Sequence, residues 1–510
     1  MPRPPDLNRM RNPVTEAPTP AASTAAADDR LATARTRAAS MFAALPAEIH
    51  ELGRRFEAAG HELALVGGPV RDAVLGRSSA DLDFTTSARP EQTEAILRDW
   101  TGGGAIWDMG RDFGTLGGAR DGVKVEITTY RTEEYDPASR KPQVAFGDTL
   151  EGDLSRRDFT VNAMAVRIPS LELVDPFDGL RDLAETRLRT PVAPEQSFTD
   201  DPLRMMRAAR FVSQLGFRIH DGTAAAIETL AERITIVSAE RVHDEFVKLM
   251  LGADPRGGLE LLVELGLADH VLPELPALRL EIDEHHRHKD VYQHTLTVLD
   301  QAIDLESPRG SDGPCEKPDL VLRLAALMHD IGKPATRRYE PGGVVTFRFH
   351  ETVGAKMTAK RMRAMTFDKD TTKKVSRLVE LHLRFHGYTE EPWTDSAVRR
   401  YVTDAGELLQ HLHRLTRADV TTQNRRKAQR LARAYDELEQ RIEDLAAQEE
   451  IDRIRPDLDG NQIMEILGIG PGKEVGLAYR FLLDLRMEEG PLGAERATEE
   501  LHRWWSQRQA

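Results

Sequence analysis

The sequence predicts an α+β chain, an N-terminal mixed α/β head followed by an all-α body. Three observations carry this. Short apolar runs closed by glycines, such as ELALVGG at 62–68, alternate with amphipathic helical stretches up to about residue 190. Beyond SFTDDPLRMMRAARFVSQLGF (197–217) strand signals all but vanish, and helical patterns continue, broken at Pro255, Pro314, Pro341 and Pro456. At 510 residues the chain is also too long for one core, so several domains are expected.

Taken in order, the first residues are rich in Pro, Ala, Ser and Thr and lack an apolar h-region. A disordered tail over 1–40 is expected, not a secretory signal. RTRAASMFAALPAEIHELGRRFEAAG (35–60) has helical apolar spacing and ends in Gly60. ELALVGG reads as a strand, DAVLG (72–76) as a brief helix and ADLDFTTS (80–87) as a second strand. PEQTEAILRDW (90–100) is a helix opened by Pro90, and GTLGGARDGVKVEITTYR (114–131) alternates around a Gly-rich turn as a hairpin does. The expected division is the tail, a head over 41–195, a helical neck over 196–280, a helical domain over 281–425 and a helical C-terminal domain over 426–510.

Composition narrows the function. With 40% hydrophobic and 30% charged residues the chain reads as soluble, and no window offers eighteen apolar residues for a membrane span. Cys315 is the single cysteine, which excludes a disulfide framework and cysteine zinc clusters, so a cytoplasmic protein is expected. The net charge of −15 argues against a nucleic-acid footprint over the whole surface. Two local runs, Lys356–Lys374 and Asn424–Arg433, are strongly basic; a charge run by itself is ordinarily a solvated helix face.

LVGGPVRDAVLGRSSADLDF (65–84) concentrates the chemistry. Residues two apart in a strand share a face, so Asp81 and Asp83 aim side by side, and two such carboxylates call for a cation between them. Oxygen ligands favour Mg²⁺. Gly67 and Gly68 bare backbone N–H groups at a strand-to-helix turn where a triphosphate can approach, and Arg71 follows one turn into the helix. These residues supply the positioning and charge neutralisation that phosphoryl or nucleotidyl transfer needs. Glu126, in VKVEITTYR, is a candidate third carboxylate or else a polar residue on the hairpin's solvent face. In RRDFTVNAMAV (156–166), Arg157 can pair with a triphosphate, oriented by Asp158, or form a surface ion pair. In DDPLRMMRAARF (200–211), a helix would put Asp201, Arg204 and Arg207 on one face with Arg210 further round. An acceptor and several donors held this way can read a base edge; a structural i,i+3 pair is the plainer account.

In order and spacing these stretches resemble the class II CCA-adding tRNA nucleotidyltransferases and the related bacterial poly(A) polymerases of the DNA polymerase β superfamily. LVGGPVRDAVLGRSSADLDF looks like motif A, RRDFTVNAMA motif B, DPFDGLRDL (175–183) the hinge motif C, DDPLRMMRAARF motif D and SAERVHDEF (238–246) motif E. The resemblance implies Asp81 and Asp83 as Mg²⁺ ligands, with Gly68, Arg71, Arg157, Arg207 and Arg210 on the nucleotide. Asp201 and Arg204 would act as a protein template for CTP and ATP. It implies addition of CCA to tRNA 3′ ends, with one Mg²⁺ on the attacking tRNA hydroxyl and a second on the leaving pyrophosphate. Two departures stand out: Asp200 where the family often has Glu, and Asp178 where glycine is common. An RNA substrate also turns the two basic runs towards RNA contact.

A second constellation lies in the body. DVYQHTLTVLDQA places His294, LMHDIGK places His329 and Asp330, and LTRADVTTQ places Asp419. Together they can converge on a divalent cation, and they resemble the H…HD…D pattern of the HD phosphohydrolases. The resemblance gives those four as ligands, of Mg²⁺ or a transition metal, and matches His350 and His382 to the extra histidines of some members. His285, His286 and His288 read as loop or supporting residues. Fused HD domains of this kind hydrolyse phosphate esters or 2′,3′-cyclic phosphates.

Three alternatives remain. A poly(A) polymerase is disfavoured by Asp112 in GRDFGT (110–115), where a basic residue is usual. An enzyme adding only CC or only A would carry the same motifs. A metal phosphohydrolase with an RNA-binding head is opposed by the intact Asp81/Asp83 pair.

Overall fold

The computed structural model describes the chain apart from residues 1–19, 79–81, 109–113, 135–142, 280–289, 307–316, 342–344, 390–392, 423, 450–454 and 510. Asp81, Asp112, His285, His286, His288, Pro314 and Cys315 therefore lie outside the described residues. The chain forms two compact units, residues 1–238 with 264–267, and residues 239–263 with 268–510.

The first unit is built on one sheet. Its strands are β1 (Leu63–Val66), β2 (Asp83–Thr86), β3 (Ile106–Asp108), β4 (Thr115–Arg120) and β5 (Val123–Thr129). A separate antiparallel hairpin follows as β6 (Arg131–Glu134) and β7 (Gln143–Phe146), and β8 (Ala165–Ile168) and β9 (Leu173–Val174) return to the main sheet. The sheet order is β3-β4-β5-β2-β1-β8-β9. β1 is buried along its whole length between β2 and β8, which is why it reads LALV without alternation. The expected hairpin over 114–131 is present as the antiparallel pair β4–β5. β2 and β5 run parallel, with Asp83 opposite Glu126.

Residues 20–40, expected in a disordered tail, are instead helical within Pro20–Ala43. The Ala-rich composition that lowers hydrophobicity also favours helix, since alanine is the strongest helix former. Asp178 adopts the left-handed conformation at φ 60°, the one glycine takes freely and aspartate tolerates.

Among its described residues, the second unit is helical apart from a two-residue ladder pairing Arg338–Tyr339 with Val345–Thr346. Helices Val291–Asp304, Leu320–Met328, His350–Ala364, Lys369–Leu381 and Leu409–Ala418 pack on one another. Helices Gly460–Leu467, Lys473–Glu489 and Ala494–Gln509 enclose a separate small core including Ile463, Leu482 and Leu501. No helix among the described residues is long and apolar enough to cross a membrane.

Candidate active site and metal cluster

A cavity of about 510 Å³ opens in the first unit where β1, β2 and β5 meet the helices that follow. It is lined by Gly67, Gly68, Arg71, Asp83, Glu126, Arg157, Asp201, Arg204, Arg207 and Arg210. Every described residue that the sequence proposed for the nucleotide site is thus brought together.

The turn into the cavity depends on glycine. Gly67 sits at φ +74°, and a Cβ there would come within 2.9 Å of the Arg157 guanidinium. The helix Gly68–Val74 starts immediately after it, with Pro69 in its first turn. Asp72 orients Arg71, accepting from its Nε at 2.9 Å, and Asn162 Oδ1 accepts from the same guanidinium at 2.9 Å.

Asp158 is the buried hub of this wall. It accepts from the Phe159 N–H at 2.8 Å and from Asn162 Nδ2 at 3.0 Å, and it pairs with Arg207 at 2.8 Å. Burial pushes its carboxyl up, but Arg207, Asn162 and the Phe159 amide outweigh this and hold it below the usual carboxylate range. The expectation that Asp158 orients its neighbour Arg157 is corrected here. Arg157 and Arg156 both pair with Asp153, at 3.3 and 2.6 Å. Asp153 is likewise buried, and the two arginines keep it low against its desolvation.

A second correction concerns Asp201, Arg204 and Arg207 as one helix face. The helix begins at Leu203, and Asp201 lies before it in extended conformation, its carboxylate accepting from the Leu203 N–H at 3.2 Å. The cause is Pro202, which disfavours helical geometry in the residue before it. Arg204 is buried and donates to Ser197 Oγ at 2.8 Å and to the Arg156 carbonyl at 2.5 Å. Both still line the cavity. Asp200 instead accepts from Gln196 at 2.6 Å and is not in the lining.

Sequence reasoning missed Arg131, Arg156, Asn162 and Phe211 in the lining. Phe211 stands between two cations, with Arg210 at 4.0 Å and Arg71 at 5.4 Å from its ring centre. The doubled arginine of RRD and the phenylalanine closing MRAARF were the available signals.

The second unit gathers His294, His329, Asp330, His350, His382 and Asp419. Their ligand atoms fall into two groups, His294 with His329 and Asp419, and Asp330 with His350 and His382. Asp330 joins the groups, its Oδ2 lying 3.2 Å from His329 Nε2 and its Oδ1 3.2 Å from His350 Nε2. His329, His350 and His382 each turn Nδ1 to a backbone carbonyl three residues back, at 2.8, 2.8 and 2.6 Å. Their Nε2 atoms are buried with no hydrogen-bond partner. A carbonyl that fixes the tautomer and an inward nitrogen lone pair are what a metal-binding imidazole requires, so the residues fit a divalent ion. His329, His382 and Asp419 are C-caps, and converging helix C-termini add partial negative charge. Burial, with His329 beside it, keeps His382 neutral, its imidazole pushed down to about 3. Against its burial, Asp330 is held well below the carboxylate range by His329, His350 and Lys333. Gly332 lets the HD turn seat on the helix start at His350, since a Cβ there would meet the His350 carbonyl at 2.2 Å.

A glycine turn, paired-strand carboxylates and an arginine-lined cavity define a nucleotidyltransferase, here joined to a helical unit with an HD-type cluster of candidate metal ligands. Family models agree: the poly A polymerase head domain matches residues 63–189, a probable RNA-binding site of polymerase A matches 216–278, and the HD domain matches 291–442. The A-adding tRNA nucleotidyltransferase of Deinococcus radiodurans is 34% identical over 83% of this chain and 91% of its own length. The CCA-adding enzyme of Lacticaseibacillus paracasei is 43% identical over 42% of this chain, a match spanning about half (52%) of that relative. The Bacillus stearothermophilus CCA-adding enzyme, solved with CTP, superposes with a TM-score of 0.64 at 24% identity, over 91% of this chain and 98% of the other; that likeness bears on the fold. The chain belongs to the class II tRNA nucleotidyltransferases, with a fused HD domain.

Proposed function

We propose that this chain completes tRNA 3′ ends by adding C and A from CTP and ATP. The observation that carries this reading is the single cavity that sets Asp83 and Glu126, on adjacent strands, against arginines, with Asp201 and Arg204 in the same lining. Asp83, with Asp81 beside it in sequence and Glu126 across the strand pair, would hold Mg²⁺, which when bound neutralises phosphate charge and acidifies the attacking hydroxyl. The backbone N–H groups after Gly67 and the Arg71 guanidinium hold the triphosphate. Arg157, Arg207 and Arg210 neutralise it, each kept in place by a carboxylate, an amide or the Phe211 ring. Asp201 and Arg204 present an acceptor and donors on buried supports, complementary to the edges of C and A.

A second reading, addition of A alone, is favoured by the Deinococcus relative, which matches most of both chains and is named for A addition. One experiment separates the readings. Give tRNAs lacking all, two or one of the terminal nucleotides to the enzyme with CTP, ATP, GTP and UTP singly and combined, and sequence the products. Full CCA on the shortest tRNA supports the first reading. Extension only of the tRNA already ending in CC supports the second, and extension of none sinks both.

The HD cluster is read as a metal phosphohydrolase centre, with the imidazole-rich donor set suited to transition metals. Phosphate monoesters and 2′,3′-cyclic phosphates offered with Mn²⁺, Ni²⁺ or Mg²⁺ test it; no turnover with any would demote the cluster to a structural role.

A further inference from the structure

The basic run Lys356–Lys374 carries seven lysines and arginines against two aspartates. In the structure it forms most of helix His350–Ala364, a short turn and the start of helix Lys369–Leu381, which pack side by side. Between them lies a groove of about 790 Å³. Its floor is made of small or apolar side chains, Ala355, Ala359, Ser376 and Phe367, so the two helices leave a channel. Its rim is cationic: Lys356 and Arg363 from one helix, Lys369, Lys373 and Arg377 from the other.

The groove turns away from the HD cluster. On the first helix the buried positions are His350, Gly354, Thr358 and Met362, at four-residue spacing. Thr352, Ala359 and Arg363 line the groove from the other side of that helix. The channel is therefore not an extension of the metal site.

Most of the rim charge is uncommitted. Glu380 is the one carboxylate in the lining, and Arg377 already donates to it at 2.6 Å. Lys356, Arg363 and Lys373 are exposed and have no ion-pair partner among the described residues, and Lys369 is exposed at the N-terminus of its helix. Lys356 and Arg363 stand two turns apart, about 10 Å along the axis, and Lys369 and Lys373 about 6 Å apart. Two parallel cationic rows over an uncharged floor are complementary to a strand of regularly spaced negative charges. In a chain of net charge −15, that is a local exception.

We propose that this groove docks the phosphate backbone of RNA. The proposal rests on the reading of the chain as an enzyme acting on RNA 3′ ends, and it adds a contact surface on the helical unit, apart from the nucleotide cavity. Contacts of this kind carry affinity and salt dependence without sequence preference.

The test uses the full-length protein and a tRNA whose last nucleotide lacks its 3′ hydroxyl, so binding is read without extension. Charge reversal at two exposed rim positions, Lys356→Glu with Lys373→Glu, is compared with an equal reversal at two exposed positions outside both basic runs, Arg54→Glu with Lys124→Glu. The expected result is roughly tenfold weaker binding at about 0.15 M salt for the groove variant, with its log K against log salt slope reduced by about 2. The Lys356→Arg, Lys373→Arg variant should bind like wild type. Unchanged affinity and slope in the groove variant would overturn the proposal and leave an acidic protein as the groove's partner. Equal weakening by both reversals would also overturn it, since only bulk charge would then be acting. Failure of the wild type to extend unblocked tRNA bears on the enzyme reading alone, because binding to blocked tRNA is measured separately.

Discussion

Replacing Asp158 by Asn tests how the phosphate-facing arginines are held. The two side chains have the same shape, so the cavity is preserved, but an amide cannot satisfy all the partners of the carboxylate. If its oxygen keeps the Phe159 N–H and Asn162, its NH₂ faces Arg207. If it turns, its NH₂ faces two other donors, and Asn162 must rotate and release Arg71. Either way one arginine loses its anchor. Breaking an exposed ion pair costs about 0–1 kcal/mol and a fully buried one about 3–5 kcal/mol. The Arg207 side chain is 36% exposed, so water replaces part of the loss and about 2 kcal/mol is expected, or roughly 30-fold in kcat/KM for the nucleotide. Single-turnover incorporation on a tRNA lacking its last nucleotide, at varied ATP, reads this directly, with tRNA affinity unchanged. The pH dependence has a definite sign. The Asp158 carboxyl is lower in the folded protein than its ordinary value, so its contribution is fully present above the unfolded pKa of about 4 and is lost as pH falls through the folded one. The variant's stability deficit should therefore be constant from about pH 6 to 9 and narrow only in acid. A folded variant within about twofold of wild-type kcat/KM would refute the anchoring argument.

Asp83→Ala should abolish incorporation while leaving metal content at the HD cluster unchanged; residual extension at even a hundredth of the wild-type rate would remove Asp83 from the metal role, since losing a metal-binding carboxylate costs orders of magnitude. Asp201→Ala should relax the choice among the four NTPs more than it weakens tRNA binding, and unaltered selectivity would contradict the base-reading role. His329→Ala with Asp330→Asn should empty the HD cluster by metal analysis while nucleotide addition continues. Gly332→Ala, whose Cβ would collide with the His350 carbonyl, should lower stability by about 1–3 kcal/mol and reduce metal uptake; normal loading would mean the backbone can yield there.

What the sequence disclosed was whatever lies within a few residues or repeats a short spacing. Gly67, Gly68 and Arg71 share one turn and helix, and the H…HD…D pattern identifies ligands by residue type before any distance is known. Pairing across the chain was not legible. Nothing near Asp158 indicates that Arg207 rather than Arg157 is its partner, because that depends on where the fold brings helix Leu203–Leu215, whose Phe211 also meets Phe159 edge-on. Arg156 was passed over because its neighbour drew attention, and Arg131 because its place in the lining depends on where the strand after β5 begins. The displacement of Asp201 from the helix was legible and missed, since Pro202 states it.

The arrangement of charge explains why so many arginines are tolerated in one cavity. Seven line it, and unbalanced they would repel one another. Two buried carboxylates divide the load, Asp153 holding Arg156 and Arg157 while Asp158 holds Arg207. Both acids stay ionised although burial opposes it, so the cationic field outweighs desolvation at each of them. Phe211 serves Arg71 and Arg210 differently, stacking with both while adding no charge. The lining therefore remains net positive, seven arginines against Asp83, Glu126, Asp158 and Asp201, until an anion enters. A surface built this way is stabilised by the ligand it binds, and because Asp158→Asn weakens the hold on the nucleotide, nucleotide binding should raise the melting temperature of wild type more than that of the variant.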